Sequence, residues 1–230
     1  MKVLLACERS GVVRRAFTSA GHEAWSCDLA PAEDGSKQHI VGDALVVAYQ
    51  PGWDLMIAHP PCTYLCGSGM HWTTRGLRDP EFTEQALAFV RALLRAPVPR
   101  IAIENQVGVI GTRIRPADQW IQPHQFGDDA SKRTGLWLTG LPRLVGTKAV
   151  APRWVCEWCR VGCPGGAEHS MERPRVCHRC GLDGRFLRPR WANQTDSGQN
   201  RLGPSPTRAI DRARTYPGIA KAMAEQWGPL

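Results

Sequence analysis

The sequence predicts an α/β fold in which a parallel sheet with crossover helices carries a small cysteine-rich insert. Three observations predict it. Short apolar runs of four to six residues alternate with helical patterns in the first two thirds of the chain. The hydrophobic fraction of 43% over 230 residues is enough for a sizeable core. Five of the nine cysteines are clustered between residues 156 and 180.

Apolar periodicity places the strands and helices in chain order. Short apolar runs predict strands over residues 2–7, 23–27, 54–58, 100–103 and 134–138. Helical spacing predicts a helix over residues 12–20 and another over residues 80–95. The apolar side of the second helix is expected to hold Phe82, Ala86, Phe89, Val90, Leu93 and Leu94. Residues 188–208 are rich in Pro, Asn, Gln, Gly and Ser without periodicity, so we expect a loop or linker there.

Polar residues follow most of these strands directly. Ligands of a parallel sheet bind at the carboxyl ends of the strands, so these residues form the predicted site. They are Cys7, Glu8, Asp28, Asp43, His59, Pro60, Pro61, Cys62, Glu104 and Asn105.

The first strand–turn–helix indicates which cofactor such a site takes. Its turn has one glycine, Gly11, and lacks the GxGxxG pattern that cradles a pyrophosphate, which disfavours a dinucleotide. Asp28 ends the next strand some twenty residues later, where a carboxylate binds ribose hydroxyls. A cofactor with a ribose and no phosphate fits both observations, and S-adenosylmethionine is the expected one.

The Pro60-Pro61-Cys62 element is the sharper signal. Two prolines at a strand end aim the Cys62 thiol rigidly, as a nucleophile requires. Glu104, at the end of the next strand, can exchange a proton in the same pocket. The alternative is a buried structural cysteine with a glutamate that caps the following helix.

Most of the excess positive charge lies in the last third of the chain. The net charge is +8, of which residues 151–230 contribute +6, and 12 of the 13 cations there are arginine. Arginine suits forked recognition of phosphate and guanine, which indicates a nucleic-acid partner. A GC-rich genome that favours arginine codons is the alternative explanation.

Membrane and secretory classes are disfavoured. The sequence has no run of about 18 apolar residues, and the apolar run at residues 1–8 is too short for a secretory signal. We therefore expect a cytoplasmic protein with no membrane partner, whose cysteines are thiols or metal ligands.

The late cysteines have the spacing of a zinc ribbon. Two Cys-x2-Cys pairs, separated by 17 residues, supply four thiolates for a tetrahedral structural Zn²⁺. The expected ligands are Cys156, Cys159, Cys177 and Cys180, and Cys163 and His169 are spare candidates that can replace one of them. Arginines and tryptophans surround this cluster and resemble a nucleic-acid surface. They are Arg153, Arg160, Arg173, Arg175, Arg179, Arg185, Arg188, Arg190, Trp154, Trp158 and Trp191.

At the Pro-Pro-Cys element the chain resembles the cytosine-C5 DNA methyltransferases, in particular their small phage-type members. Pro61-Cys62 is similar to the nucleophile motif of that family, and Glu104-Asn105 lies in a segment similar to its Glu-Asn-Val motif. Other segments also resemble the family: the cofactor loop at residues 5–17, here without its glycine-rich pattern, the paired-arginine stretch that ends in Lys132-Arg133, and the C-terminal helix at residues 216–227.

The resemblance implies a Rossmann-like sheet of the S-adenosylmethionine-dependent methyltransferases and methyl transfer to carbon 5 of a flipped cytosine in double-stranded DNA. Cys62 is then the covalent nucleophile, Glu104 the proton donor to the ring and Arg133 the third catalytic residue. The cofactor-binding residues are expected to be Ala6, Cys7, Glu8, Gly11, Asp28, Asp43 and Pro60. The substrate-binding residues are expected to be Pro61, Asn105, Lys132, Arg175 and Arg179.

The long target-recognition domain of the family is missing, which sets the expected domain organisation. Residues 1–148 and 209–230 are expected to form the catalytic domain, residues 149–190 a zinc-binding target-recognition insert, and residues 191–208 a linker. A small insert favours a short or relaxed target site. The expected protein is a monomer in the cytoplasm, or in the host cytoplasm if phage-encoded.

Three alternatives stay open. One is another modification at carbon 5 of cytosine, a second is RNA cytosine methylation, and a third is a catalytically inactive zinc-containing DNA-binding protein. Cys66 is expected to be a packing cysteine rather than a second nucleophile, and His59 a pocket wall rather than a proton carrier.

Overall fold

Seven strands form one mixed sheet in the part of the chain that the structure describes. The computed structural model of the chain describes residues 1–159 and 170–230. Within them, the sheet has the order β3-β2-β1-β4-β5-β7-β6. The strands are β1 (Lys2–Ala6), β2 (Glu23–Asp28), β3 (His39–Val41), β4 (Leu55–Ala58), β5 (Ile101–Gln106), β6 (Gln119–Ile121) and β7 (Thr134–Thr139).

The direction of the strands identifies the fold. Strands β1 to β5 pair in parallel, whereas β7 is antiparallel to both of its neighbours, β5 and β6. The expectation of a parallel sheet is therefore wrong for residues 134–139. Apolar periodicity alone does not distinguish the two directions. The mostly parallel sheet with one reversed strand confirms the predicted α/β fold with a Rossmann-like methyltransferase sheet.

The strand order also places the ligand site. From β1 the sheet grows through β2 and β3 on one side and through β4 and β5 on the other. The topological switch point therefore lies between β1 and β4, and ligands of such sheets bind beside it at the carboxyl ends of the strands.

The helices connect these strands and cover the core. They are α1 (Val12–Ser19), α2 (Ala44–Ala48), α3 (Gly67–Thr74), α4 (Glu81–Leu94), α5 (Ile110–Arg113), α6 (Arg208–Ala213) and α7 (Pro217–Trp227). The buried side of α4 holds Thr83, Leu87, Val90 and Leu93, so the predicted apolar side is partly wrong. Phe82 is 45% exposed and stacks on Tyr64 instead, with 5.3 Å between ring centroids.

The central strands form the core because both of their faces are covered. All four residues of β4 are buried, as are four of the five residues of β1. Such continuous apolar runs are typical of parallel strands under helices on both sides. They are the runs from which the strands were predicted.

Contacts divide the described chain into two units. The first contains Met1–Ile121, Arg133–Val145 and Ile219–Leu230, and the second contains Gln122–Lys132 and Gly146–Gly218. The second unit includes a two-stranded antiparallel sheet of β8 (Arg153–Cys156) and β9 (Leu187–Arg190). It extends beyond residues 149–190 on both sides, and the functions expected for these parts of the chain stay predictions.

The loop expected over residues 188–208 begins later in the structure. Residues 188–190 belong to β9, where Arg188 pairs with Val155 and Arg190 pairs with Arg153. A separate observation concerns membranes: among residues 1–159 and 170–230, every helix is too short or too polar to cross a bilayer.

Candidate active site and metal centre

The Cys62 loop is held at the carboxyl end of β4 by two prolines and an asparagine. Cys62 is half-buried and begins a 3₁₀ turn directly after Pro60 and Pro61. The ring of each proline fixes its φ angle, which limits the paths of the loop. From β5, the buried Asn105 side chain donates a hydrogen bond of 2.9 Å from Nδ2 to the Pro60 carbonyl. Asn105, expected to bind substrate, thus positions the loop that carries Cys62.

A close backbone approach pins the same loop at its other end. Cys66 and Gly108 form an antiparallel bridge, in which Val109 N donates to Leu65 O at 2.8 Å and Gly67 N to Val107 O at 3.0 Å. A Cβ atom on Gly108 would lie 1.9 Å from the Leu65 carbonyl oxygen. Only glycine permits this approach.

His59 and Glu104 are in direct contact beside the Cys62 loop. The β4–β5 register pairs Ala58 with Ile103, so the next residue of each strand, His59 and Glu104, are neighbours. His59 Nδ1 lies 2.7 Å from Glu104 Oε2, and the side chains are 12% and 8% exposed. An ionisable pair this deeply buried at a strand end is typical of a functional site.

The Cys66 thiol is hydrogen-bonded to Cys62 and ionises at low pH. Cys66 is the N-cap residue of α3, and its Sγ lies 3.2 Å from Ser68 Oγ. The hydrogen bond from Cys62 lowers the pKa of Cys66 most, assisted by the Ser68 hydroxyl and by the backbone N–H groups of Ser68 and Gly69. Against an opposing effect of burial, the pKa falls to about 5. This is the environment of a reactive thiolate at a helix N-terminus.

Several residues expected to bind the cofactor lie together beside the ends of β1 and β2. Ala6 ends β1, and the next residue, Cys7, has a left-handed backbone with φ 57°. Burial first, and the nearby Asp28, Cys27 and Asp43 next, raise the pKa of the Cys7 thiol to about 12. Cys7 therefore stays protonated at neutral pH and is a poor nucleophile.

Glu8 occupies the N-terminus of α1. Its carboxylate accepts hydrogen bonds from the backbone N–H groups of Val13, at 2.7 Å, and Arg14, at 3.2 Å. Free N–H groups at this position of a Rossmann-like fold bind phosphate. Here the protein's own carboxylate fills the position, which fits a cofactor that has a ribose and no phosphate. Gly11 has φ 67°, a left-handed backbone conformation that favours glycine.

The two aspartates also form hydrogen bonds within the protein. Asp28 accepts a hydrogen bond of 2.9 Å from Ala30 N, and Asp43 caps α2 by accepting one of 2.8 Å from Leu45 N. Each carboxylate keeps further acceptor capacity for a hydroxyl or amine, because it has four lone-pair sites. These two carboxylates fit the hydroxyl and amine groups of the expected cofactor, S-adenosylmethionine.

The predicted Lys132-Arg133 pair is divided between the two units. Arg133 is exposed and stacks over Trp120, with 4.5 Å between the guanidinium carbon and the ring centroid. The β5–β7 register pairs Gln106 with Thr134, so Arg133 directly precedes β7 just beyond the end of β5. Lys132 belongs to the second unit and donates from Nζ to the Arg214 carbonyl at 3.2 Å.

The four expected metal ligands converge in the second unit. Among the described residues, the Sγ atoms of Cys156, Cys159, Cys177 and Cys180 all lie within 4.8 Å of one another. Tetrahedral Zn–S bonds of about 2.3 Å place sulfurs about 3.8 Å apart. The separation between Cys156 Sγ and Cys180 Sγ is 3.8 Å. The donor set and its spacing fit a structural zinc ion. Cys163 and His169 lie outside the described residues.

The arginines around this cluster differ in what they contact. Arg153 pairs with Asp196 at 2.7 Å and Arg188 with Glu157 at 2.8 Å. Arg175 and Arg179 are exposed, and neither forms an ion pair with any residue of the described ranges. Trp158, between two of the metal-site cysteines, is 79% exposed. Within the described part of this unit, two exposed arginines and one exposed tryptophan are thus accessible to a ligand.

Two contacts of this site are not expected from the sequence, namely Cys62–Cys66 and His59–Glu104. A Cys-x3-Cys spacing followed by Gly-Ser-Gly is the signal for the first, because it places the second thiol at a helix start. The second contact depends on strand register, for which a single sequence has no signal.

No protein-family model and no curated protein matches this sequence. Among solved structures, the chain is similar to a protein assigned as a DNA modification methyltransferase encoded within a prophage (E. coli), with 13% sequence identity and a TM-score of 0.40. The match covers 60% of this chain and 46% of that chain, so the chain spans about half the length of its structural neighbour. The fold assignment rests on the strand order and the reversed β7.

Proposed function

We propose that this protein transfers a methyl group from S-adenosylmethionine to carbon 5 of cytosine in DNA. The observation that supports the proposal most is the pairing of a rigidly held thiol with a buried glutamate beside the switch point. The Cys62 loop follows β4, and Glu104 lies in β5 in contact with His59. Covalent activation of a pyrimidine ring needs a nucleophile and a proton donor in this relation.

Cys62 performs the first step by attacking carbon 6 of cytosine. The S–C6 bond forms, the electron pair of the C5–C6 double bond moves to carbon 5, and the Cys62 proton passes to Cys66. The hydrogen bond between Cys62 and Cys66 provides the path for this proton. Glu104 supplies a proton to ring N3 as negative charge builds there.

Carbon 5 is then electron-rich and takes the methyl group. S-adenosylmethionine, when bound, supplies an electrophilic methyl group at this point. A base removes the proton from carbon 5, the S–C6 bond breaks, and Cys62 leaves as a thiolate. The N3 proton returns to Glu104 and the proton held by Cys66 returns to Cys62, which restores the ring and these three side chains, while the carbon-5 proton leaves with the base.

Two features make DNA the proposed partner. The reacting carbon belongs to a nucleic-acid base, and the second unit has exposed side chains of the kinds that bind nucleic acid. Carbon 6 cannot be reached inside a base stack, so the cytosine must be flipped out at a cost of a few kcal/mol. We assign the phosphate contacts to Arg175 and Arg179, which are exposed, and stacking to Trp158. The metal-site cysteines hold these residues in place.

Covalent trapping tests the proposal directly. Duplex DNA containing 5-fluorocytosine is expected to form an irreversible adduct with the wild-type protein, because fluorine at carbon 5 cannot leave as a proton does. Cys62→Ser is expected to form no adduct and to lose methyl transfer by at least 10³-fold. The matched control is Thr63→Ser, a change at the exposed neighbouring residue, which is expected to retain both.

The same assay separates the alternatives. Transfer to transfer RNA in preference to duplex DNA would assign RNA methylation, and mass spectrometry of the product nucleoside would reveal another group at carbon 5. DNA binding without cofactor binding or adduct would assign an inactive DNA-binding protein. Full activity of Cys62→Ser would overturn the nucleophile assignment.

A further inference from the structure

His59 connects three neighbouring strands at the candidate site. It directly follows β4, its backbone N–H donates to the Ala6 carbonyl of β1 at 2.9 Å, and its Nδ1 contacts Glu104 Oε2 of β5 at 2.7 Å. Both the backbone and the ring are therefore fixed. A residue that only lines the pocket would need no hydrogen bond to Glu104, the proposed proton donor, whereas His59 contacts it directly.

The geometry points to His59 as the positioning residue for Glu104, holding its carboxyl group so that the acidic proton faces the cytosine ring. This inference rests on the proposed function. His59 itself touches no reacting atom. It acts through Oε2 of Glu104, the oxygen it contacts.

The direction of the hydrogen bond follows from what Glu104 must do. A carboxyl group has one acidic proton. If that proton were on Oε2, it would point at His59 Nδ1 and would be lost to the base. For Oε1–H to face the substrate, Oε2 must accept, so His59 Nδ1 must carry the hydrogen. Neutral His59 is therefore in its Nδ1–H tautomer.

One proton then moves between Glu104 and ring N3 of cytosine and back, with no other donor needed. The Oε1–H bond of Glu104 breaks as the N3–H bond of cytosine forms, and the electron pair stays on the carboxylate. The Nδ1–H group of His59 continues to donate to Oε2 and stabilises this new charge in a buried place, where a charge-assisted hydrogen bond is strong. On breakdown of the adduct, the proton returns from N3 to Oε1.

Two substitutions separate this role from packing. In His59→Asn, the side-chain amide places an N–H donor close to where Nδ1 was, whereas Leu in His59→Leu has similar bulk and no donor. We expect His59→Asn to retain kcat within about fivefold. We expect His59→Leu to lose kcat by about 10- to 100-fold, with KM for DNA changed less than threefold. Circular dichroism of both variants checks the fold.

Equal kcat values for the two variants, or wild-type kcat in His59→Leu, would overturn the inference and leave the proposed function standing. Absence of a 5-fluorocytosine adduct in the wild-type protein would instead overturn the proposed function. A substrate-independent measurement decides the inference in either case: nitrogen NMR of the histidine-labelled full chain is expected to show hydrogen on Nδ1 of His59. A resting state with Nδ1 unprotonated would contradict it.

Discussion

Cys62 and Cys66 have different environments although they lie four residues apart. Cys62 is half-buried at the end of a constrained loop, whereas Cys66 is buried at the start of α3 and accepts hydrogen bonds from Cys62 and Ser68. At neutral pH Cys66 is therefore ionised. Cys27, by contrast, has a thiol pKa raised to about 11, by burial first and by Asp28 and Asp43 next.

The reactivity of this thiol pair is expected to depend on pH in a way that an ordinary cysteine does not show. Because the pKa of Cys66 is lowered from 9.0 to about 5, the thiolate is present above about pH 5 and is lost as the pH falls through that value. Alkylation by iodoacetamide, followed by peptide mass spectrometry, is therefore expected to rise near pH 5 for the 62–66 segment.

Cys66→Ala is expected to remove that rise, so that alkylation of the 62–66 segment begins only toward pH 9, as for an ordinary thiol. Cys27→Ala serves as the control and is expected to leave the profile of the 62–66 segment unchanged. An unchanged profile in Cys66→Ala would show that the two thiols ionise independently.

At the level of elements, the strands that position the site could be predicted and their pairing could not. Strands β1 and β4 are nearly continuous apolar runs and β5 begins with one, so burial on both faces makes these strands visible in the sequence. β3 has only three residues, which is too short for a clear apolar pattern. The antiparallel direction of β7 depends on the strands with which it pairs, and its own sequence does not show it. The His59–Glu104 contact depends on the register between β4 and β5, so it was not predictable either.

The bridge between the Cys62 loop and the loop after β5 requires glycine at position 108, and this requirement can be tested. In Gly108→Ala, the added methyl group would lie 1.9 Å from the Leu65 carbonyl oxygen, so one of the two loops must move. Because a displaced nucleophile reacts poorly, we expect the adduct rate to fall by about 10²-fold. Gly111→Ala is the matched control, since a Cβ atom there meets no atom within 4 Å. Equal rates in both variants would contradict the positioning role of the bridge.

At the level of the whole molecule, the chain combines two units of different kinds. The first has a large apolar core, whereas the core cluster around β8 and β9 is small and contains Trp154, Cys156, Cys177 and Leu187. The cysteine spacing makes the metal site predictable from the sequence. The bounds of the second unit were not predictable, since residues 122–132 belong to it although they lie within the segment expected to form the catalytic domain.

So small a core needs a metal for stability. We expect one zinc ion per chain by elemental analysis of the full-length protein. Cys177→Ser is expected to lose the ion, and removal of zinc by a chelator is expected to make the β8–β9 segment sensitive to protease. Cys163→Ser is the control and is expected to keep the ion. Loss of zinc in that variant would assign Cys163 as a ligand instead.

The positive charge of the second unit has a measurable consequence for DNA binding. Arg175→Ala and Arg179→Ala are each expected to weaken binding and to reduce the slope of log K against log salt by about one. Lys221→Ala is the control, because Lys221 lies on α7 and pairs with Glu225 at 3.5 Å. Affinity is measured by fluorescence anisotropy at several salt concentrations. A slope unchanged in both arginine variants would place the DNA contacts elsewhere.

The Glu8 carboxylate at the N-terminus of α1 has a consequence for competition inside a cell. Adenine nucleotides such as ATP share the adenosine group with S-adenosylmethionine and are abundant. Their phosphates would meet a negative charge at the one helix end that otherwise attracts them. If the proposed cofactor binds here, the Glu8 carboxylate is expected to disfavour adenine nucleotides and to leave S-adenosylmethionine as the better ligand.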